Sequence, residues 1–298
     1  MGKQKRSPGT YQKIDTVFKR DVNNIIMPYE ELVSPELEFL RGCKFDAEEK
    51  IDGTNVRLEV KRTVEYATYY ENNVDLVVDK TSPVQVTWSV KYKGKTDTAE
   101  MPKMLGEFLR TEYPEDKILG CFGLQKIMSV EADLDTLIEK GWITKNENGK
   151  DILNLEVIPE NYTIYGEGYG ARIQKCGARY LANENKFIGF DIKINEWYLL
   201  REQRDEILKN LGVPVVPFIG TFTIDEAIEY VRKGFTSLIA EDKTLPAEGL
   251  VLRTPIGLKS RKGDRIIFKV KTCDFEKYFN VYKTHDKVEQ VPNENYNK

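Results

Sequence analysis

The sequence predicts an α+β fold with central antiparallel sheets and flanking helices. Three observations lead there. Apolar and β-branched residues recur in short alternating runs along the chain, the pattern of half-buried strands. Helical segments fall between these runs at irregular intervals, so the strands and helices do not alternate as in a regular βαβ winding. The 298 residues can bury a sizeable core, and no repeat, low-complexity tract or clear domain boundary divides them. One domain over residues 1–298 is therefore expected.

The elements follow in chain order. Strands are expected at Asn55–Arg62, Val84–Lys93, Ile152–Ile158, Tyr162–Gly166, Phe187–Ile194, Gly249–Arg253 and Arg265–Lys271. Helices are expected at Ala99–Arg110 and Leu134–Lys140 from their apolar spacing, and at Leu199–Leu211, which stops at Gly212. Thr223-Ile224-Asp225-Glu226 reads as a capping box for a helix running to about Gly234. Residues 120–150 look helical and end in the polar turn Asn146-Glu147-Asn148-Gly149, so they are expected to form a helical insertion. The tail 288–298 is expected to be mobile.

Composition narrows the chemistry. The 40% hydrophobic and 31% charged fractions are those of an ordinary globular enzyme. No apolar run is long enough to cross a bilayer, and the basic start Met1-Gly2-Lys3-Gln4-Lys5-Arg6 leads into no apolar stretch, so it is not a secretory signal. Cys43, Cys121, Cys176 and Cys273 make no C-x-x-C pair, which fits the reduced thiols of a cytoplasmic protein. A single histidine, His285, argues against a histidine-based triad or zinc centre. The chemistry falls to lysine and carboxylates. The net charge of −3 does not advertise a nucleic-acid binder, yet a local basic face suffices to contact phosphates. Lys259, Arg261, Lys262, Arg265, Lys269 and Lys271 form such a cluster, whose ordinary explanation is a solvated face.

Five segments could carry chemistry. Glu49-Lys50-Ile51-Asp52-Gly53-Thr54-Asn55 places a lysine in a turn between strands. Such a lysine is a nucleophile once its pKa, about 10.4 when free, is lowered by desolvation or nearby cations. Tyr165-Gly166-Glu167-Gly168-Tyr169-Gly170 holds a glutamate between glycines, and Phe187-Ile188-Gly189-Phe190-Asp191-Ile192 is a strand with two aromatics. Glu248-Gly249-Leu250-Val251-Leu252-Arg253 puts a carboxylate at the mouth of a buried strand. Glu167 and Glu248 are of the type that Mg²⁺ takes together with phosphate oxygens. In Phe268-Lys269-Val270-Lys271 the two lysines share a strand face, where they would grip a phosphate and depress the pKa of Lys50. Singly, each segment is as well explained as a surface turn, a loop carboxylate, core packing or a charged edge strand.

Their order changes the odds. The five resemble the ordered motifs of the covalent nucleotidyltransferase superfamily, K-x-D/H-G, a glutamate motif, an aromatic before an aspartate, E-G-x-x-x-K/R and K-x-K. The intervals are 117, 23, 58 and 21 residues; the first is long, which agrees with the suspected insertion. Glu49–Asn55, Tyr165–Lys175 and Phe190-Asp191-Ile192 are most similar to the RNA ligase 2 type, over roughly residues 11 to 280.

The resemblance implies an ATP-grasp-like ligase adenylation domain that seals RNA in three steps. Lys50 would attack the α-phosphate of ATP, AMP would pass from lysyl-AMP to a 5′-phosphate, and a 3′-hydroxyl would displace it. The implied nucleotide-binding set is Glu49, Ile51, Asn55, Lys95, Glu167, Phe190, Glu248, Lys269 and Lys271. Within it, Phe190 would stack on adenine, Glu167 would meet the ribose, backbone atoms at Glu49 would read the base, and Asn55 would contact phosphate. Glu167 and Glu248 are the implied ligands of Mg²⁺ or Mn²⁺. The implied substrate is RNA with 5′-phosphate and 3′-hydroxyl ends, including a nicked duplex, with no membrane involved. A minimal ATP-dependent DNA ligase and a non-catalytic nucleic-acid-binding module of the same fold are the alternatives.

Two departures stand out. Gly94-Lys95-Thr96-Asp97 has lysine where related ligases often have arginine, which keeps the charge and loses the bidentate fork. Only 27 residues follow Lys271, so no C-terminal domain is expected, and the Phe18-Lys19-Arg20-Asp21 segment is a candidate to help hold substrate instead.

Overall fold

The computed structural model describes residues 10–22, 26, 31–71 and 75–275. The expected tail at 288–298 lies outside them. The fold is α+β. In chain order the elements are β1 (Asp15–Thr16), α1 (Pro35–Phe39), β2 (Phe45–Glu49), β3 (Thr54–Glu71), β4 (Asp75–Lys93), α2 (Lys103–Glu112), α3 (Glu115–Cys121), β5 (Ile127–Ser129), α4 (Val130–Glu139), β6 (Ile143–Lys145), β7 (Asp151–Leu153), β8 (Asn161–Gly170), α5 (Gly177–Tyr180), β9 (Asn185–Ile194), β10 (Trp197–Tyr198), α6 (Arg201–Leu211), β11 (Phe218–Phe222), α7 (Ile224–Lys233), β12 (Gly249–Arg253) and β13 (Ile267–Lys271).

Two sheets organise these elements. The first runs β1-β13-β12-β2-β11, with β1 parallel to β13 and the others antiparallel; the second runs β10-β9-β8-β3-β4-β5 and is antiparallel throughout. β6 and β7 form a separate hairpin. Phe45, Ala47, Leu250, Leu252, Phe268 and Val270 of the first sheet bury against Ile224, Ala227, Ile228 and Val231 of α7. Val56, Leu58, Val60, Ile164 and Ile192 of the second sheet pack on Leu105 and Leu109 of α2 and on Leu208 and Leu211 of α6. A third cluster, which includes Ile51, Tyr169, Tyr180, Ile188 and Val216, takes residues from both sides and is edged by Phe190. β2 passes directly into β3 through residues 50–53, so the segment that crosses from one sheet to the other is the one carrying Lys50.

Local chemistry explains the helix ends. The Thr223 hydroxyl accepts from Glu226 N, and the Glu226 carboxylate accepts from Thr223 N, the reciprocal cap expected from the sequence. α6 stops where Gly212 turns left-handed at φ +80°.

Several elements differ from expectation. β3 and β4 extend well past Asn55–Arg62 and Val84–Lys93, as a long hairpin whose outer part leaves Tyr69, Tyr70, Leu76 and Val78 exposed. The expected strand Ile152–Ile158 ends at Leu153, because Asn154 caps a turn: its side-chain oxygen accepts from Glu156 N and its carbonyl from Val157 N and Ile158 N. The segment 120–150 is mixed, with β5, α4 and β6, and the Asn146–Gly149 turn forms as expected around the Asn146 side chain. Strand β2 was not expected, and all five of its residues are buried although three are acidic. In the segment Phe18–Asp21, the Phe18 ring is buried on Phe275, Lys19 pairs with Glu31, and Arg20 with Asp274. All four cysteines are free thiols. Among the described residues no helix is long and apolar enough to cross a membrane.

Candidate active site at the crossing between the sheets

Strand alternation aims the nucleophile candidate. Along β2, Phe45 and Ala47 face the α7 core, so Asp46, Glu48 and then Lys50 face the second sheet. The backbone of Lys50 is pinned by its N–H to Gly249 O at 2.9 Å. Two residues on, Tyr180 Oη lies 3.3 Å from Asp52 N, and Gln174 Nε2 donates to Gly53 O at 3.0 Å. Gly53 lies against β8: a Cβ there would sit 2.3 Å from Gly168 O and 2.8 Å from Glu167 Cγ. Only glycine allows this approach.

The partners of Lys50 come from the other strands of the first sheet. Phe268 and Val270 point into the core, so Lys269 and Lys271 of β13 point the other way, into the crevice. Glu248 reaches the same place by a different device. Strict alternation would put it on the side of Leu250 and Leu252, but Gly249 at φ +144° breaks the pattern. The Lys50 ammonium donates to Glu248 Oε2, and Lys271 Nζ lies 3.6 Å from Glu248 Oε1. From the second sheet comes Glu167, paired in register with Asn55.

The electrostatics differ from expectation at one point. Burial by itself would depress the Lys50 ammonium, but Glu248, Glu167 and Asp52 outweigh it and hold its pKa above the usual lysine value. The lysine that is depressed is Lys269, lowered to about 8 by burial and by the charges of Lys271 and Lys50. The carboxylates shift up: Glu167 to about 8, mainly through burial, with Glu248 and Asp52 adding to it, and Asp52 to about 6 through burial and Glu248. The crevice holds two carboxyls whose ionisation burial disfavours, Glu167 and Asp52, and a buried acceptor, Asn55 Oδ1, that has no partner among the described residues. A divalent cation would relieve both conditions, so the donor set suits one. Among the described residues no group of three or more His, Cys, Asp or Glu side chains could hold a metal by itself. Any cation there would complete its shell with phosphate oxygens and water, the habit of Mg²⁺.

The remaining expected residues sort by position. Ile51 and Phe190 belong to the same apolar cluster beside the crevice, which forms a hydrophobic wall. The Glu49 carboxylate is turned away from it, accepting from Ser237 Oγ and Leu238 N, while its own N–H donates to Pro217 O. Lys95 is exposed in the bend after β4, and its charge reaches Glu167 and lowers it. Sequence reasoning missed what stands behind the wall. Phe190 O accepts from Arg204 Nη1 at 2.7 Å and Arg253 Nη1 at 3.0 Å. Arg204 also clamps Glu48 at 2.6 and 3.2 Å, and Arg253 reaches Glu48 at 3.0 Å. Asp191 accepts from Arg265 at 2.6 Å and from the Tyr11 hydroxyl at 2.7 Å, and the Tyr11 ring meets Phe190 edge-on at 5.1 Å. The available signal was Arg201 and Arg204 on one turn of a predicted helix, with no indication of what they would pair with.

A sequence model described as RNA ligase matches residues 44–271, from the start of β2 to the last lysine of β13. The chain belongs to the RNA ligase family. The match of this RNA ligase family member takes in Lys50, Glu167, Phe190, Glu248, Lys269 and Lys271. Among curated proteins none matches. Among solved structures, the chain is similar to a Naegleria gruberi RNA ligase mutant with AMP and Mn, at 15% identity and a TM-score of 0.44, covering 88% of this chain and 55% of that one. An apo mutant of the same ligase gives 16% and 0.47, covering 93% and 64%, and its complex with PPi gives 16% and 0.42, covering 90% and 61%. The chain thus spans 55% to 64% of the length of these three ligases.

Proposed function

We propose that the chain is an ATP-dependent RNA ligase acting through one nucleotidyltransferase domain, with Lys50 as the residue that carries AMP. The observation that carries this reading is the convergence on Lys50 of Glu248, Lys271, Lys269 and Glu167 from both sheets, in a member of the RNA ligase family. In the first step Lys50 Nζ attacks the α-phosphorus of ATP; the N–P bond forms and the bond to pyrophosphate breaks. Its proton must leave first, and Glu248 Oε2, already hydrogen-bonded to Nζ, is the atom placed to receive it. Lys269 and Lys271 face the charge that builds on the phosphate oxygens, fixed in place before the reaction. Phe190 and Ile51 offer the apolar wall for the adenine, and Glu167 and Asn55 the polar contacts opposite. AMP then passes to a 5′-phosphate, and a 3′-hydroxyl displaces it to seal the strand. Glu248 and Glu167 would hold Mg²⁺ or Mn²⁺, which neutralises phosphate charge when bound.

With α-labelled ATP and Mg²⁺ the wild-type protein should become covalently labelled, and Lys50→Ala and Lys50→Arg should not, because a guanidinium stays protonated. A chase with 5′-phosphorylated nicked RNA should move the label to the RNA. Label retained by Lys50→Ala would overturn the assignment of the nucleophile.

A further inference from the structure

Three basic residues between β12 and β13, Lys259, Arg261 and Lys262, are not used by the site above. They lie at the other end of these strands. Glu248, Lys269 and Lys271 crowd the end at Gly249, while four residue steps of about 3.3 Å put Arg253 roughly 13 Å away, and the chain then turns through a hairpin. That hairpin is held by Ser260 N to Asp264 O at 2.8 Å, Gly263 N to Ser260 O at 2.9 Å and Ile266 N to Leu258 O at 2.8 Å, with Gly263 at φ +82°. It presents Lys259, Arg261 and Lys262. Among the described residues no carboxylate comes within ion-pair distance of these three, although most charged side chains near the site are paired. Glu36 of α1 is the acidic neighbour that feels Lys262.

Two large aromatics flank the cations. Trp197, on edge strand β10, is 73% exposed, and Lys259 Nζ sits 5.3 Å from its ring centroid. Phe39, at the end of α1, is 87% exposed. Each borders a cavity, one of about 280 Å³ on the Trp197 side and one of about 490 Å³ on the Phe39 side, and Lys259 lines both. The surface therefore runs from ring to ring across a row of cations that form no ion pair among the described residues. A folded protein gains little by exposing Trp and Phe beside a cluster of positive charge. A strand with a phosphate at every unit and a flat apolar face on every base matches both features.

We propose that this surface, Trp197, Lys259, Arg261 and Phe39, is a track that binds a single-stranded stretch of RNA leading to the sealing site. The inference rests on the RNA ligase reading. The two rings take bases, the cations take phosphates, and the strands shared with Glu248, Lys269 and Lys271 fix the distance between track and reacting end.

The test uses the full-length protein and a fluorescent 5′-phosphorylated single-stranded oligoribonucleotide, with affinity measured by anisotropy against salt. Trp197→Ala and Phe39→Ala should each weaken binding about tenfold, the loss of one stacked base. A Lys259→Ala/Arg261→Ala double variant should lower the salt slope by about 1.4, for two phosphates on a single strand. All of these variants should accept label from ATP as wild type does, since that step needs no RNA. With duplex RNA the cation variant should still weaken binding and the aromatic variants should not. The track is refuted if all variants bind the single strand within twofold of wild type with an unchanged salt slope, or if wild type takes label yet binds no RNA. Loss of RNA affinity in the variants, in a protein that ATP never labels, would keep the track and overturn the ligase reading.

Discussion

Removing the charge of Arg204 tests whether the buried network behind Phe190 holds the site together. The side chain is 1% exposed and makes bonds to Glu48 at 2.6 and 3.2 Å, to Asp205 at 2.6 and 2.7 Å and to Phe190 O at 2.7 Å. Arg204→Met keeps the length and removes every one of them. Breaking a buried pair by deleting one partner costs about 3–5 kcal/mol, because the other charge is left in a poor solvent. Here the stranded group is Glu48, also 1% exposed, which keeps Arg253 at 3.0 Å, and Phe190 O keeps its bond from Arg253. Asp205, at 36% exposure, can turn to water. The expected loss is therefore near the low end, about 3 kcal/mol. With an m value of about 3 kcal/mol/M the urea midpoint should fall by about 1 M. Adding Glu48→Gln removes the stranded charge, so the second change should cost at least about 1.5 kcal/mol less in the Arg204→Met background than in wild type. A loss under about 1 kcal/mol for Arg204→Met, or a Glu48→Gln cost that is the same in both backgrounds, would falsify the claim that the pair is interdependent.

Two further outcomes follow from the geometry. Gly53→Ala places a Cβ 2.3 Å from a backbone carbonyl, so it should cost about 1–3 kcal/mol by thermal melting and reduce labelling by ATP. Gly120→Ala, in α3 with nothing within 4 Å, should be neutral or stabilising by up to about 1 kcal/mol; equal melting temperatures for the two variants would contradict the close approach. Burial would raise the Asp191 carboxyl, but Arg265 and Arg253 outweigh burial and hold it below the usual range. Its contribution to stability is therefore fully present above the unfolded value, about pH 4, and lost as pH falls through the lower folded value. Asp191→Asn should be less stable by about 3 kcal/mol at pH 7, with an acid limb flatter than that of wild type in denaturation from pH 6 to pH 2. Parallel curves would show that another group governs the acid limb.

The residues of the candidate site were easier to single out than the frame around them. Lys50, Glu167, Phe190, Glu248 and the Lys269–Lys271 pair stand in short motifs whose residue types are unusual together, and β12 and β13 were expected from their alternating apolar runs. Helices α6 and α7 were readable because their end signals, Gly212 and the Thr223–Glu226 box, act within a few residues. What stayed hidden depends on long-range pairing. The outer part of the β3–β4 hairpin leaves Tyr69, Tyr70, Leu76 and Val78 exposed, so it carries no apolar face that a sequence pattern would show, and only its partner strand reveals it. β2, Phe-Asp-Ala-Glu-Glu, has the composition of a surface turn; its burial makes sense only beside Arg201, Arg204 and Arg253, more than 150 residues later. The ionisation of Lys50 was misjudged for the same reason. The sequence shows two lysines able to depress it, but not that three carboxylates would stand closer in effect.

The acidic face of β2 also sets an order of assembly. When residues 45–49 leave the ribosome, the guanidinium groups that neutralise Asp46 and Glu48 have not been made, and burying those carboxylates without them would be prohibitively costly. The first sheet also lacks β11, β12 and β13 at that stage, whereas β3, β4, β8 and β9 form a run of antiparallel neighbours that can pair as they emerge. The second sheet can therefore mature during synthesis, and the first closes only once the chain has passed Arg253. A nascent or truncated chain that stops short of residue 248 has Lys50 at the end of an acidic segment, with neither Glu248 nor the two lysines of β13 available to it. The crevice around Lys50 is thus completed only when nearly the whole described chain has been translated.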